Sequence, residues 1–232
     1  ALVAAGKKAG KLHDAGALLM LVYRNTANTS VTEKKRASLF LVVSLFKIYF
    51  KLNTLHLCKN LIAAVNLPTF PAFETFPSSQ KVTYSYYVGR LAVFDDDYHR
   101  AENHLSYAFA HCSNKHPTNK KLTLRYLIPI KLILGKKPTT HLLDKYELHE
   151  YKTVVDAVRK GNVAQLNTAL QQHQVTFIMQ GTFLVLGKLR AVALRTLFQK
   201  THAFCARQNP QKANQVRLRR FPNPGRLFYR SW

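Results

Sequence analysis

The sequence predicts an all-α protein built from stacked, antiparallel helix pairs, and three observations lead there. Every periodic apolar segment repeats at helical spacing, and no stretch sustains the alternation of a half-buried strand. Residues 39–52 are apolar on both sides of one helix: Leu39, Val42, Val43, Phe46, Tyr49 and Phe50 follow one face, and Leu41, Leu45, Ile48 and Leu52 fill the other. A helix apolar all round has to be sandwiched between neighbours, as in stacked repeats. Residues 154–170 read as two helices joined by a tight Gly161-Asn162 turn, with Val154, Val155, Ala157 and Val158 before it and Val163, Leu166 and Leu170 after.

In chain order, a first helix is expected over residues 7–24, then a polar break over 25–32 and a second helix over 33–53. Thr54 is placed to cap a third helix that runs to residue 65. Pro68, Pro71 and Pro77 then fall within ten positions, which no helix sustains, so 67–79 reads as a loop with Phe70, Phe73 and Phe76 pinned to the surface. Gly89, Tyr98, Ala101, Leu105 and Ala108 match the small and aromatic positions of a tetratricopeptide-type helix pair, with 94–97 as its turn. Gly89 and Ala101 would let two helices approach closely, while Tyr98, Leu105 and Ala108 fill the seam. A turn at 116–119 leads into a helix over 120–134, kinked at Pro129. Thr140 is placed to cap a short helix ending near Tyr146. A last helix is expected over 182–204. From residue 208 onward proline and basic residues replace the periodic apolar face, and an irregular tail is expected.

The chain's 232 residues contain 35 Lys plus Arg against 11 Asp plus Glu, a formal net charge of +24. That excess exceeds what solubility requires and attracts polyanions: nucleic acid, an acidic protein or an anionic membrane surface. Charge alone does not choose among them. Cys58, Cys112 and Cys205 stand far apart without a CxxC pair, which reads as reduced intracellular thiols. The chain begins at Ala1 without an initiator Met, as a fragment would. Its first residues lack the apolar core of a signal peptide, and residues 39–50 are too short and too interrupted to cross a bilayer.

Candidate sites follow from residue types. Asp95, Asp96 and Asp97 cannot all converge on one metal from an interhelix turn, and Asp96 or Asp97 is a natural N-cap. His111, Cys112 and His116 are metal-ligand types without a second cluster and read as surface residues at a helix end. Residues 135–139 echo a phosphate loop, yet Ile130 stands where its first glycine belongs and a helix precedes it. No nucleophile elbow or activated cysteine context is present, so no enzyme, cofactor or metal is expected. Lys120, Lys121, Arg125 and Lys131 straddle one helix and continue to Lys136 and Lys137, while Lys188, Arg190, Arg195 and Lys200 decorate another. With Arg217, Arg219 and Arg220 in the tail, the first group forms the candidate surface for nucleic acid or an acidic partner. Tyr126 beside it reads as a core residue before a base-stacking one.

Several long runs go beyond generic helix: SLFLVVSLFKIYFKLN at 38–53, LHLCK at 55–59, KVTYSYYVGR at 81–90, FDDD at 94–97 and AENHLSYAFAHC at 101–112. They resemble the PCI-domain family, in its branch of subunits of the nuclear transcription-and-export complex 2. The likeness continues more loosely through 126–131, 134–139 and the Gly161-Asn162 turn, covers about 7–218, and is strongest over 38–140. It implies a right-handed stack of tetratricopeptide-like helix pairs over 1–145, the helical part of a PCI domain over 146–205, and a tail over 206–232 where the family has a winged helix. Residues 219–232 look like a foreign ending, and the winged helix is expected to be absent. The resemblance further implies a non-enzymatic scaffold in mRNA export, at the nucleus and nuclear pore with room for a cytoplasmic pool. Its partners would be a PCI-like scaffold subunit of the germinal-centre-associated nuclear protein type, a small acidic stabilising protein and RNA or DNA, with no membrane. Two other readings stand beside it: a protein whose charge alone binds nucleic acid, and a PCI subunit of another assembly such as the proteasome lid or signalosome.

Overall fold

The computed structural model of the protein describes residues 10–29 and 31–208. The helix start expected at residue 7 and the tail over 209–232, with Arg217, Arg219 and Arg220, lie outside the described residues. Among those described, every regular element is helical. The helices group into two units, 1–119 and 120–232. The sequence-based boundary at 145/146 separates repeats from PCI helices by a different criterion.

The first unit holds α1 (Leu12–Ala27), α2 (Thr32–Lys35), α3 (Ser38–Leu52), α4 (Leu55–Val65), a 3-10 turn (Phe73–Thr75), α5 (Ser78–Phe94) and the part of the chain through α6 (Tyr98–His111). The single helix expected over 33–53 is divided. Arg36 and Ala37 donate to the carbonyls of Glu33 and Lys34, three residues back, and the Ser38 hydroxyl donates to Lys35 O, competing with the helical ladder. From there α3 is buried on nearly every side, with Leu39, Val42, Leu45 and Ile48 fully enclosed between α1, α4 and α5. It stops at Asn53, whose φ of 56° is left-handed. Thr54 N then closes on Tyr49 O at 2.9 Å, the six-to-one bond of a Schellman turn. Thr54 precedes α4 as expected, but its side chain caps nothing; its Oγ1 is buried without a hydrogen-bond partner.

The proline-rich loop does not leave its phenylalanines on the outside. Phe76 is buried, Phe70 lies 5.6 Å from it, Phe73 lies 5.6 Å from Tyr84, and Tyr84 stacks on Phe46 at 5.7 Å. An aromatic ring exposes too much apolar area to stay in water when a half-open core lies beneath it.

The α5–α6 pair is tightly closed. A Cβ on Gly89 would stand 2.7 Å from Leu105 Cγ, and Ala101, Leu105 and Ala108 are fully enclosed. Tyr98, by contrast, is half-buried and its hydroxyl donates to Asp96 Oδ1 at 3.1 Å, so it serves the turn rather than the seam. The three turn aspartates divide the work. Asp95 pairs with Lys59 at 2.7 Å, Asp96 takes the left-handed φ of 59°, and Asp97 caps α6 by accepting from Arg100 N at 3.1 Å.

The second unit begins within α7 (Pro117–Ile133) and holds α8 (Thr140–Lys145), α9 (His149–Lys160), α10 (Val163–Gln172), α11 (Gln174–Gln180), α12 (Phe183–Gly187) and α13 (Leu189–Gln208). α7 starts three residues before the expected Lys120, because Pro117 suits a first helical position where no N–H is needed. It runs on through Pro129. Proline lacks the N–H that would bond Arg125 O, and the Tyr151 hydroxyl lies 3.2 Å from that carbonyl. The cap of α8 is Thr139, one residue before the expected Thr140, accepting from Leu142 N at 3.3 Å. Gly161 ends α9 at a φ of 73°, and Asn162 Oδ1 caps α10 through Gln165 N at 3.0 Å. α11 is not anticipated by the sequence reading, and the helix expected over 182–204 is two, α12 and α13, joined by a turn at Lys188.

Candidate functional site

A phosphate-binding stripe needs several cations whose heads reach solvent together. Successive residues of a helix are about 100° apart, so Lys120, Lys121 and Arg125 do not share one line along α7. Lys120 is only 9% exposed. Lys121 pairs with Glu147 at 3.4 Å, and Arg125 and Lys131 are half-buried. Only Lys136 and Lys137, beyond the helix end, are exposed. Among the described residues, the structure therefore does not gather the candidate cations into one open stripe.

The second basic group divides similarly. Arg190 Nε donates to Asn167 Oδ1 at 2.8 Å. Lys200 Nζ donates to the carbonyls of Arg159 and Lys160 at 2.9 and 3.3 Å, where a cation at the C-terminus of α9 satisfies orphan carbonyls and the helix dipole. Lys188 and Arg195 are exposed. What sequence reasoning missed is the convergence of Lys137 and Arg195, from the loop after α7 and from α13, on one cleft of about 200 Å³ with Gly135, Thr196 and Gln199. Fifty-eight residues of separation hide that pairing from any local pattern.

A second missed feature is apolar. Val175, Ile178 and Met179 stand at i, i+3 and i+4 on α11, and Met179 is 85% exposed, with Leu184 on α12 at 79%. Phe177, pointing the other way, is fully buried and packs edge-on against Tyr151 at 5.3 Å. Neither this helix nor the outward direction of its apolar side was read from the sequence. Exposed apolar side chains grouped in this way are the kind of surface that contact sites use.

Among the described residues no group of three or more His, Cys, Asp or Glu could hold a metal. His111 Nδ1 engages Tyr107 O at 3.0 Å and Cys112 is buried, a helix end rather than a ligand set, although the cysteine is not the surface residue expected. Burial pushes the Cys58 thiol up to about 12, which leaves it protonated and unreactive near neutrality. No described helix is long and apolar enough to cross a membrane.

The helix pair closed by Gly89 against Leu105, in a chain whose described regular elements are all helical, is that of a helical-repeat protein. Residues 11–154 match the family model of PSMD3-like, N-terminal TPR repeats, and the chain belongs to that family. Its relatives include PCI domain-containing protein 2 of Xenopus laevis, 44% identical over 201 residues that cover 85% of this chain and 50% of that protein. Enhanced ethylene response protein 5 of Arabidopsis thaliana is 40% identical over 94% of this chain and 52% of its own length. A protein CSN12 homolog of Mycosarcoma maydis is 33% identical over 82% of this chain and 44% of its own. The likeness read from residues 38–140 is thus to PCI domain-containing protein 2, with the all-α, TPR-like fold that this implies. The chain spans about half the length of these curated relatives.

Proposed function

We propose that the chain is a non-enzymatic scaffold subunit of a nuclear mRNA-export assembly, coupling transcription to export through a PCI-like scaffold partner and a small acidic protein, with weak RNA binding. The observation that carries this reading is the sustained identity to PCI domain-containing protein 2, on a fold that offers contact surfaces. The exposed apolar cluster of α11 and α12 suits docking of another protein's apolar face. The excess of cations suits an acidic partner and phosphates. In this reading the protein resides in the nucleus, including the nuclear pore.

A pulldown from nuclear extract with the chain as bait, followed by mass spectrometry, tests the assembly. A PCI-like scaffold subunit and a small acidic protein should co-purify. Signalosome or proteasome-lid subunits in their place would move the chain to the second reading, which the CSN12 homolog favours. RNA binding is tested by salt: affinity should fall steeply between about 50 and 200 mM if several phosphates are contacted together. Lys137→Glu and Arg195→Glu should weaken it at the shared cleft, and removal of residues 209–232, with Arg217, Arg219 and Arg220, should weaken it further. Binding that survives high salt would show base stacking and end the electrostatic account. Lys120→Glu is a poor probe, because that side chain is buried and its reversal perturbs the fold as well as the surface.

A further inference from the structure

One face of α6 forms the seam with α5; another carries Arg100, Asn103, His104 and Tyr107 at spacings of three, one and three. With α4, α5 and the proline-rich loop, these side chains line a groove of about 770 Å³, wholly within the first unit. That size lies inside the range of about 300 to 1,000 Å³ common to small-molecule sites. The rings of Phe70, Phe73, Tyr84 and Tyr107 supply aromatic surface, and Ile62 and Val88 add aliphatic surface. Asn66 and Asn103 bring amides from two different helices, Ser85 brings a hydroxyl, and Arg100 is the one permanent cation. No Asp or Glu is among the lining residues.

Two of the polar groups are buried yet unanswered. Tyr84 is 5% exposed and Ser85 3%, and among the described residues neither hydroxyl has a hydrogen-bond partner. Neither oxygen is sealed off, so each opens on the groove that its residue lines. A buried hydroxyl without a partner is costly unless a group from outside the protein supplies the bond. Burial pushes the Tyr84 phenol up to about 12 against the opposing charge of Arg100, and burial, then Arg100, hold the His104 ring below its usual basicity. The guanidinium therefore stands beside both. It is exposed and makes no ion pair or side-chain hydrogen bond among the described residues. The neutral His104 ring, like the two amides, can give or take a hydrogen bond.

Aromatic walls hold a planar ring by stacking. Amides carrying both a donor and an acceptor match the edge of a nucleobase, and a guanidinium free of carboxylates answers a phosphate. Arg100 and Asn103 lie about one turn apart on the same face of α6, which leaves room for a ribose between phosphate and base. A single cation fits one phosphate, whereas a run of nucleic acid draws its affinity from several neutralised together. We propose that this groove binds a free nucleoside monophosphate, with its base against Phe70 and Phe73, its polar atoms met by Asn103 and the Tyr84 and Ser85 hydroxyls, and its phosphate paired with Arg100. This site goes beyond the scaffold reading above and shares no residue with the cleft of Lys137 and Arg195, so either can fail without the other.

Isothermal titration calorimetry of the full chain with AMP, GMP, CMP and UMP tests it, at about 150 mM salt so that long-range charge is screened. At least one of the four should bind saturably. The matching nucleoside, which lacks the phosphate, and ribose 5-phosphate, which lacks the base, should each bind at least roughly tenfold more weakly. Arg100→Gln should weaken the monophosphate by roughly tenfold and leave the nucleoside unchanged, as expected for loss of a charge-assisted hydrogen bond. Tyr84→Phe removes only the unanswered hydroxyl. It should weaken the monophosphate by roughly fivefold at an unchanged melting temperature, because that hydroxyl serves a ligand and not the fold. Lys137→Glu should change nothing. Failure of all four nucleotides to bind overturns the proposal. Equal binding of ribose 5-phosphate does so too, since it leaves an unspecific anion contact, as does parental affinity in both groove variants. Displacement of the nucleotide by a short single-stranded RNA at lower concentration would overturn it in favour of nucleic acid.

Discussion

Residues 10–119 wrap their helices around α3, whose Leu39, Val42, Leu45, Phe46 and Ile48 make a wholly apolar centre, whereas residues 120–208 gather around the hydroxyl of Tyr151. That oxygen is buried and lies 3.2 Å from both Arg125 O and Gln180 Oε1, and 3.4 Å from Thr182 Oγ1. Its one proton serves one acceptor at a time, and Thr182 can donate to it in return. Burial pushes the phenol well above its ordinary range. Gln180 extends the network, its carbonyl accepting from Tyr126 at 2.8 Å and its amide donating to Glu150 at 3.3 Å. The first unit is held by apolar area, tolerant of small repacking and sensitive to lost volume. The second depends on polar groups that are expensive to leave unmatched.

Substitutions can break this contrast, and the largest effect is expected in the first unit. Phe46→Ala should cost about 3 to 5 kcal/mol, read as the shift of a urea-unfolding midpoint. A cost below 1 kcal/mol would mean that the centre collapses around the gap. Gly161→Ala comes next, at about 2 to 4 kcal/mol, because the added Cβ meets both the left-handed backbone and α13. That Cβ would stand 2.7 Å from Leu197 N and 2.9 Å from Leu197 Cα, and backbone cannot swing aside. Gly89→Leu should cost about 1 to 3 kcal/mol by overpacking the α5–α6 seam; there the obstacle is chiefly the Leu105 side chain, which can yield in part. Thermal melts of the two glycine variants side by side would reverse the ranking if side-chain contact mattered more than backbone contact.

Tyr151→Phe sharpens the polar half of the contrast. It keeps the ring against Phe177 and removes only the hydroxyl, so a loss of about 1 to 3 kcal/mol would measure the unmatched acceptors. A neutral result would show that water or Thr182 satisfies them. The smallest effect concerns pH. His104 has a folded pKa below its ordinary 6.5, so the unfolded chain binds a proton first as pH falls. Stability contributed by the neutral ring is present above 6.5 and is lost as pH drops below that value towards the folded pKa. Melting temperatures at pH 5 and 7 should differ less in His104→Gln than in the parent, and an unchanged difference would remove His104 from the acid response.

The outline of the fold was legible wherever one residue type answers a local backbone demand. Gly161 and Asn162 turned the chain as read, because a left-handed position and a helix cap are written in two adjacent residues. Asp97 capped α6 for the same reason. The errors sit where two local readings compete. Ser38, bonding back to Lys35 O, divided the expected long helix near its start, and Thr139 took the cap that Thr140 could equally have supplied. α11 went unread because only Phe177 among its apolar residues faces the core. For the candidate site, the type and number of cations were plain, but their accessibility was not. Lys120 is buried, Lys200 closes the end of α9, and Lys137 meets Arg195 only through packing.

By itself, the sequence determined that the chain is helical, where its glycine-closed pairs lie and which family it joins, since periodicity, caps and close-approach residues act over a few positions and survive in any packing. Tertiary structure alone decided which apolar faces are covered. Phe76 went inward and Met179 outward, although both belong to short apolar groups, because burial depends on whether a distant helix presents a matching surface. It also decided which charges remain at the surface, since a lysine on a helix is exposed or enclosed according to the neighbour packed against that side.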